Sequence, residues 1–178
     1  MTASRRSALV LMAAATAGLV PRPSIAGASA TRRLSFEHLH TGERLTAVYR
    51  TAHGYDEAGL RDINHILRDW RTGEVTAIDP ALLDDLFDVQ AHLGHRGTIG
   101  VISGYRSPET NDTLADKGRG VSRRSLHMEG RAIDITLSGV PTLVLRDAAL
   151  ALGRGGVGTY VSPGFVHLDT GRVRRWGD

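Results

Sequence analysis

Residues 131–136 read RAIDIT, which in an extended backbone puts Ile133 and Ile135 on one face and Ala132, Asp134 and Thr136 on the other. GFVHLDT (164–170) repeats the pattern: Val166 and Leu168 share one face, Phe165, His167 and Asp169 the opposite one. Such alternation predicts strands with one apolar side for the core. TIGVIS (98–103) predicts another strand, running into the loop GYRSPETN, and GTY (158–160) one more. Near the start, SFEHLH (35–40) and ERLTAVYR (43–50) flank Thr41-Gly42 and predict two short strands joined by a tight turn.

Elsewhere the period is helical. Leu60, Ile63, Leu67 and Trp70 recur at helix spacing between Asp56 and Trp70, with Asp56 as cap. Asp79-Pro80 opens a second helix, the aspartate at the N-cap and the proline in the first turn, where its missing N–H costs nothing. Leu82, Leu83, Leu86, Phe87 and Leu93 form its buried stripe, and Gly94 ends it. Ser107-Pro108 opens a third helix, ending near Gly118, and Pro141 a fourth with Leu145, Ala148, Ala149 and Leu152 inward. Helices first and strands mostly later, with short links, predict an α+β fold: a small antiparallel sheet with helices packed on one side.

Residues 1–30 stand apart. Arg5 and Arg6 precede an apolar stretch from Ala8 to Val20, and small residues follow at Ala26-Gly27-Ala28 and Ala28-Ser29-Ala30. This is the three-part pattern of an export signal, cleaved after Ala28 or Ala30; the competing reading is an uncleaved anchor, for which the apolar run is short. Ser4-Arg5-Arg6 with Leu9 is similar to a twin-arginine signal, but Ala8 stands where that pattern usually has Phe, so Tat and Sec routes both stay open. A periplasmic or otherwise extracytoplasmic location follows, with one domain over residues 31–178 and no stable membrane insertion after cleavage.

The leader also changes the meaning of the charge. The formal +3 is carried by Arg5, Arg6 and Arg22, and residues 31–178 hold 19 basic and 19 acidic side chains. The high pI therefore gives no argument for a nucleic-acid partner; Arg119, Arg123 and Arg124 make only a short basic run. With no cysteine, any metal must be held by nitrogen and oxygen.

A polar side chain in the middle of an apolar strand asks for a partner. If the strands carrying Asp134 and His167 are neighbours, carboxylate and imidazole converge over one surface. His127 reaches that surface from the preceding loop, where Gly130 allows a sharp turn. Two histidines and a carboxylate are a common ligand set for catalytic zinc, with a fourth position open. The competing reading is that each makes a local hydrogen bond at a loop edge.

Ser125-Leu126-His127-Met128-Glu129-Gly130-Arg131-Ala132-Ile133-Asp134 matches every fixed position of SxHxxGxAxD. In this the chain resembles the zinc peptidase family of D-alanyl-D-alanine carboxypeptidases, D-Ala-D-Ala dipeptidases and murein endopeptidases. SGYRSPETN and GFVHLDTG are similar to the flanking motifs of its periplasmic murein-endopeptidase branch, and the likeness runs over roughly residues 34–176. The resemblance implies a hedgehog/D-Ala-D-Ala peptidase-like fold, one Zn2+ per chain on His127, Asp134 and His167, and Arg106 facing the substrate to stabilise an oxyanion. Tyr105 either lines the cleft or packs, and Ser125 either orients a ligand, binds the peptide or caps a loop. Many relatives carry a general-base Glu or Asp three residues before the last histidine; here that position is Gly164. Asp169, on the same strand face as His167, is the substitute expected as base, or else orients a histidine; Glu129 is a further carboxylate between the ligands. His38 and His40 share a strand face without a third ligand, and His53, His65, His92 and His95 read as surface or helix-edge residues.

The function so implied is an exported zinc endopeptidase acting on peptidoglycan peptide stems, cutting D-Ala–diaminopimelate or diaminopimelate–diaminopimelate cross-links. Gly164 keeps a second class open, a non-catalytic, zinc-containing murein-binding or signalling module.

Overall fold

Arg32–His38 (β1) and Arg44–Thr51 (β2) form the antiparallel pair expected around Thr41-Gly42, with Phe36 opposite Leu45. The structure, a computed structural model, describes residues 31–117 and 121–177; the proposed export signal and Arg119 lie outside them. Gly54–Tyr55 (β3) adds a short edge to β2. Glu57–Ile66 (α1) starts where Asp56 accepts the Gly59 N–H at 2.7 Å. This helix stops at Ile66 and does not run to Trp70. Leu67 is still fully buried, but beyond it the backbone turns, with the Gly73 N–H on the Asp69 carbonyl at 2.7 Å and the Asp69 N–H on that of Glu74 at 2.9 Å.

Pro80–His92 (α2) begins at the expected cap, the Asp79 carboxylate taking the Ala81 N–H. Ile99–Ser103 (β4), Pro108–Asp116 (α3), Ala132–Leu137 (β5), Thr142–Ala151 (α4), Gly156–Tyr160 (β6), Phe165–Asp169 (β7) and Arg174–Gly177 (β8) complete the chain. The strands form one sheet in the order β3-β2-β1-β4-β5-β7-β6-β8. It is antiparallel except where β4 lies parallel to β1 and β8 parallel to β6, so the α+β sheet is mixed and larger than the alternation pattern predicts. No helix of the described residues is long and apolar enough to cross a membrane.

One sheet face is the core. Leu34, Phe36, Ile133, Ile135, Val166 and Leu168 are buried there in one cluster with α1, α2 and α4 side chains such as Ile63, Leu82 and Leu145. Each such side chain contributes about 1.5–3 kcal/mol through burial. That pins the register of β5 and β7: a slip by one residue would turn their apolar set away from the helices. The opposite face is therefore obliged to receive Asp134, His167 and Asp169.

Candidate metal centre

β5 and β7 are antiparallel neighbours, and Asp134 sits directly across from His167. His127 arrives from a single 3-10 turn, Leu126–Glu129, between α3 and β5. Ser125 caps this turn, its hydroxyl accepting the His127 N–H at 3.4 Å, and Gly130 closes it with φ of 66°. A Cβ at Gly130 would lie 2.3 Å from the Ala77 carbonyl oxygen, so the turn is seated against the main chain before α2. Three donor atoms converge: His127 Nε2 and His167 Nδ1 at 3.2 Å, His167 Nδ1 and Asp134 Oδ1 at 2.8 Å, His127 Nε2 and Asp134 Oδ1 at 3.4 Å. They form the one potential metal-binding cluster of His, Asp and Glu among the described residues.

Each outer ring nitrogen has an acceptor for its proton. His127 Nδ1–H donates to the Gly104 carbonyl at 2.7 Å, leaving a bare Nε2. His167 lies between two carboxylates, Nε2 3.0 Å from Asp169 Oδ2 and Nδ1 2.8 Å from Asp134 Oδ1. Burial alone would lower its pKa, but Asp134 and Asp169 outweigh this and push it up. With its proton on Nε2 toward Asp169, His167 turns a lone pair to the point that His127 Nε2 and Asp134 Oδ1 also face, a donor set suited to a cation. Zinc bonds of about 2.0–2.1 Å in a tetrahedron imply donor separations of roughly 3.3 Å, close to those observed. Histidines whose second nitrogen is tied to a carbonyl or carboxylate are the usual supports of such an ion. Burial pushes the His127 imidazole down in pKa; burial alone would raise Asp134, but the two imidazoles outweigh it and hold the carboxyl well below the usual range. The donors fit a divalent ion.

Arg106 stands beside this point. Its side chain is buried and lines the same cleft, with Nη2 3.8 Å from Asp134 Oδ2. Its other contacts are long, 3.4 Å to Asn111 Oδ1 and 3.4 Å to Ser103 Oγ, and its Nε has no partner. The Nε is itself buried, so the Nη groups, held only by long contacts, are the donors available to an incoming oxygen. The main chain around it is fixed: the Arg106 N–H bonds the His127 carbonyl at 3.2 Å, and Ser107 bonds Asp69 Oδ2 through both N–H (2.9 Å) and hydroxyl (2.8 Å).

Asp69 is fully buried. Burial alone would raise its carboxyl, but hydrogen bonds from Thr110, Ser107 and Arg71 outweigh this and hold it below its ordinary 3.8. A carboxyl depressed on folding stabilises the protein above the unfolded value and loses that contribution as pH falls through the folded one. Asp69→Asn is expected to cost about 2–3 kcal/mol at neutral pH and to flatten the loss of stability below about pH 4; urea unfolding across that range checks both.

A family model described as peptidoglycan L,D-endopeptidase MepK matches residues 26–176. The peptidoglycan L,D-endopeptidase MepK of Escherichia coli (strain K12) is 41% identical over 177 residues, covering 98% of this chain and 97% of the relative. The chain belongs to the MepK family. The Haemophilus influenzae protein named "Probable peptidoglycan L,D-endopeptidase MepK" is 41% identical over 146 residues, 82% of this chain and 78% of its own. No solved structure matches.

In this MepK-family chain the geometry at two candidate residues favours the second of the two roles open to each. Asp169, expected as base, lies behind His167 with its side chain fully enclosed. Both oxygens are taken, Oδ1 by the Gly156 and Gly171 N–H groups and Arg174 Nη1, Oδ2 by His167 and Arg174 Nη2. It has no free lone pair toward a cleft water, so its geometry is that of a group orienting His167. Tyr105 packs against the core and is not among the residues lining the cleft; its main-chain N–H bonds the Leu67 carbonyl at 2.7 Å. Ser125 both caps the turn and lines the cleft. Glu129 is exposed and paired with Arg131, away from the cleft. Gly164 has φ of 92°, a conformation that side chains rarely adopt.

The far wall of the site was hardly legible in the sequence. Trp176 of β8 lies with its ring 5.1 Å from that of His167, and its indole N–H donates to the Tyr160 hydroxyl at 3.0 Å. Gly158, opposite His167 on β6, makes room for it: a Cβ there would be 2.5 Å from the indole. β8, RRWG, is too short and too charged to stand out as a strand.

Proposed function

We propose that this chain is an exported zinc endopeptidase that hydrolyses peptide cross-links of peptidoglycan. The observation that carries the reading is the convergence of three metal-donor atoms within 2.8–3.4 Å, beside the spare N–H groups of Arg106, in one open cleft of about 860 Å³. MepK-family membership supports a peptidase, and the relatives' names specify an L,D bond. Of the two cross-links in question, the one between two diaminopimelates joins an L to a D centre, so it is the favoured target. The leader pattern supports export toward such a substrate.

His127, Asp134 and His167 would hold the ion, which supplies Lewis acidity toward a water and a carbonyl. His127 and His167 are kept in the ligating tautomer by Gly104 and Asp169. Arg106 presents a fixed cation where negative charge develops on the scissile carbonyl oxygen, among the larger catalytic contributions. Asp134 is the sole carboxylate lining the cleft among the described residues, so no separate carboxylate is assigned as general base.

The test is digestion of purified sacculi by the mature protein. Muropeptide profiles are expected to lose diaminopimelate–diaminopimelate dimers, to be unchanged with chelator and to change again when zinc is restored. Unchanged profiles in zinc-replete buffer would overturn the reading and favour the binding module.

A further inference from the structure

Arg71, next to the Trp70 that ends the helical spacing, and His40 bring the first half of the chain to the metal cleft. The Arg71 guanidinium lies 4.2 Å from the Trp70 ring centroid, and the His40 ring stacks on the same indole at 4.6 Å and 20°. Arg71 and His40 both line the cleft. The backbone under Arg71 is held as well, its N–H bonded to Asp69 Oδ1 at 3.0 Å. Stacking fixes the plane of a guanidinium and leaves its N–H edge free for a planar acceptor.

Nothing described in the protein fills that edge. Arg32, Arg50, Arg68 and Arg154 each pair with an acidic side chain, whereas Arg71 has no ion-pair partner among the described residues. Lys117 and Arg124 line the cleft and likewise lack one among the described residues. Asp134 faces all of these cations alone, although basic and acidic side chains balance over residues 31–178. The positive excess is therefore local to the cleft, and an anionic substrate would relieve it.

We propose that Arg71, seated on Trp70, anchors a free carboxylate of the substrate at a distance from the scissile bond, so that the cleft selects cross-linked stems whose diaminopimelate carboxylates are not amidated. This rests on the peptidoglycan reading above. A guanidinium forks two N–H groups onto a carboxylate; an amide offers one acceptor and turns a donor toward the fork.

The experiment compares two defined muropeptide dimers, one with free diaminopimelate carboxylates and one with those groups as amides, using zinc-loaded protein. Wild type is expected to show a kcat/KM about tenfold higher for the carboxylate form, carried by KM. Arg71→Gln is expected to erase the preference by raising KM for the carboxylate form about tenfold, while Lys117→Gln keeps it. Equal rates on both forms in wild type, an equal loss on both in Arg71→Gln, or a preference that follows Lys117 would each overturn the assignment. Calorimetric binding of the same two dimers separates the readings. Absence of hydrolysis by wild type counts against the endopeptidase, whereas the Arg71 anchor stands if binding prefers the carboxylate form in wild type alone and falls if it does not.

Discussion

Asp134→Asn is expected to abolish hydrolysis and to leave the purified protein with far less than one zinc per chain. The substitution keeps the volume on β5 but removes the one carboxylate among the described residues that meets both imidazoles at the point where the donors converge. Loss of a partner that merely orients a ligand costs about 10–100-fold in metal affinity; loss of a ligand should exceed that. Asp169→Asn supplies the comparison, since it disturbs only the hydrogen bond to His167 Nε2, the Arg174 pair and two backbone contacts. Zinc affinity by competition with a chromophoric chelator, measured on both variants, should rank them with Asp134→Asn the more severe. Equal affinity in Asp134→Asn and wild type would remove the carboxylate from the ligand set.

Arg106→Ala should lower kcat by about 10²–10³-fold, the size seen when one fixed donor to a developing oxyanion is lost. Zinc content should stay at one per chain, because Arg106 touches Asp134 only at 3.8 Å and from the side away from the imidazoles. Arg106→Lys should recover little: a lysine presents a point charge, and the planar fork held near Ser103 and Asn111 is gone. Steady-state kinetics with metal analysis on the same samples tests this. A rise in KM at constant kcat would instead make Arg106 a ground-state binder.

Much of the site was legible because its two strands carry a strict two-residue alternation. Ile133, Ile135, Val166 and Leu168 wanted the core, and that alone turned Asp134 and His167 to the other face. Helix starts were equally readable, since Asp56, Asp79 and Ser107 each accept an N–H of the first turn. Less legible were features set by long-range pairing. The parallel contacts of β1 with β4 and of β6 with β8 leave no mark in a local pattern, and β8 is only four residues long. The placing of Asp169 turned on a rotamer: the strand face was readable, but not that His167 aims Nδ1 at Asp134 and Nε2 at Asp169. Trp70 kept helical spacing yet left the helix, because Asp69 is drawn off by Ser107 and a turn to Glu74.

The pairing of Asp134 with His167 and of Ala132 with Asp169 has a consequence for how such a protein can diversify. A one-residue insertion ahead of Asp134 in β5 would turn that carboxylate to the helix side, and one ahead of His167 in β7 would do the same to His167 and Asp169 together, so length there is frozen. The segments leading to Arg71 and to Lys117 and Arg124 carry no such parity rule. Changes of reach and appetite for different wall chemistries can therefore accumulate around the mouth, while the hydrolytic centre beneath is inherited whole.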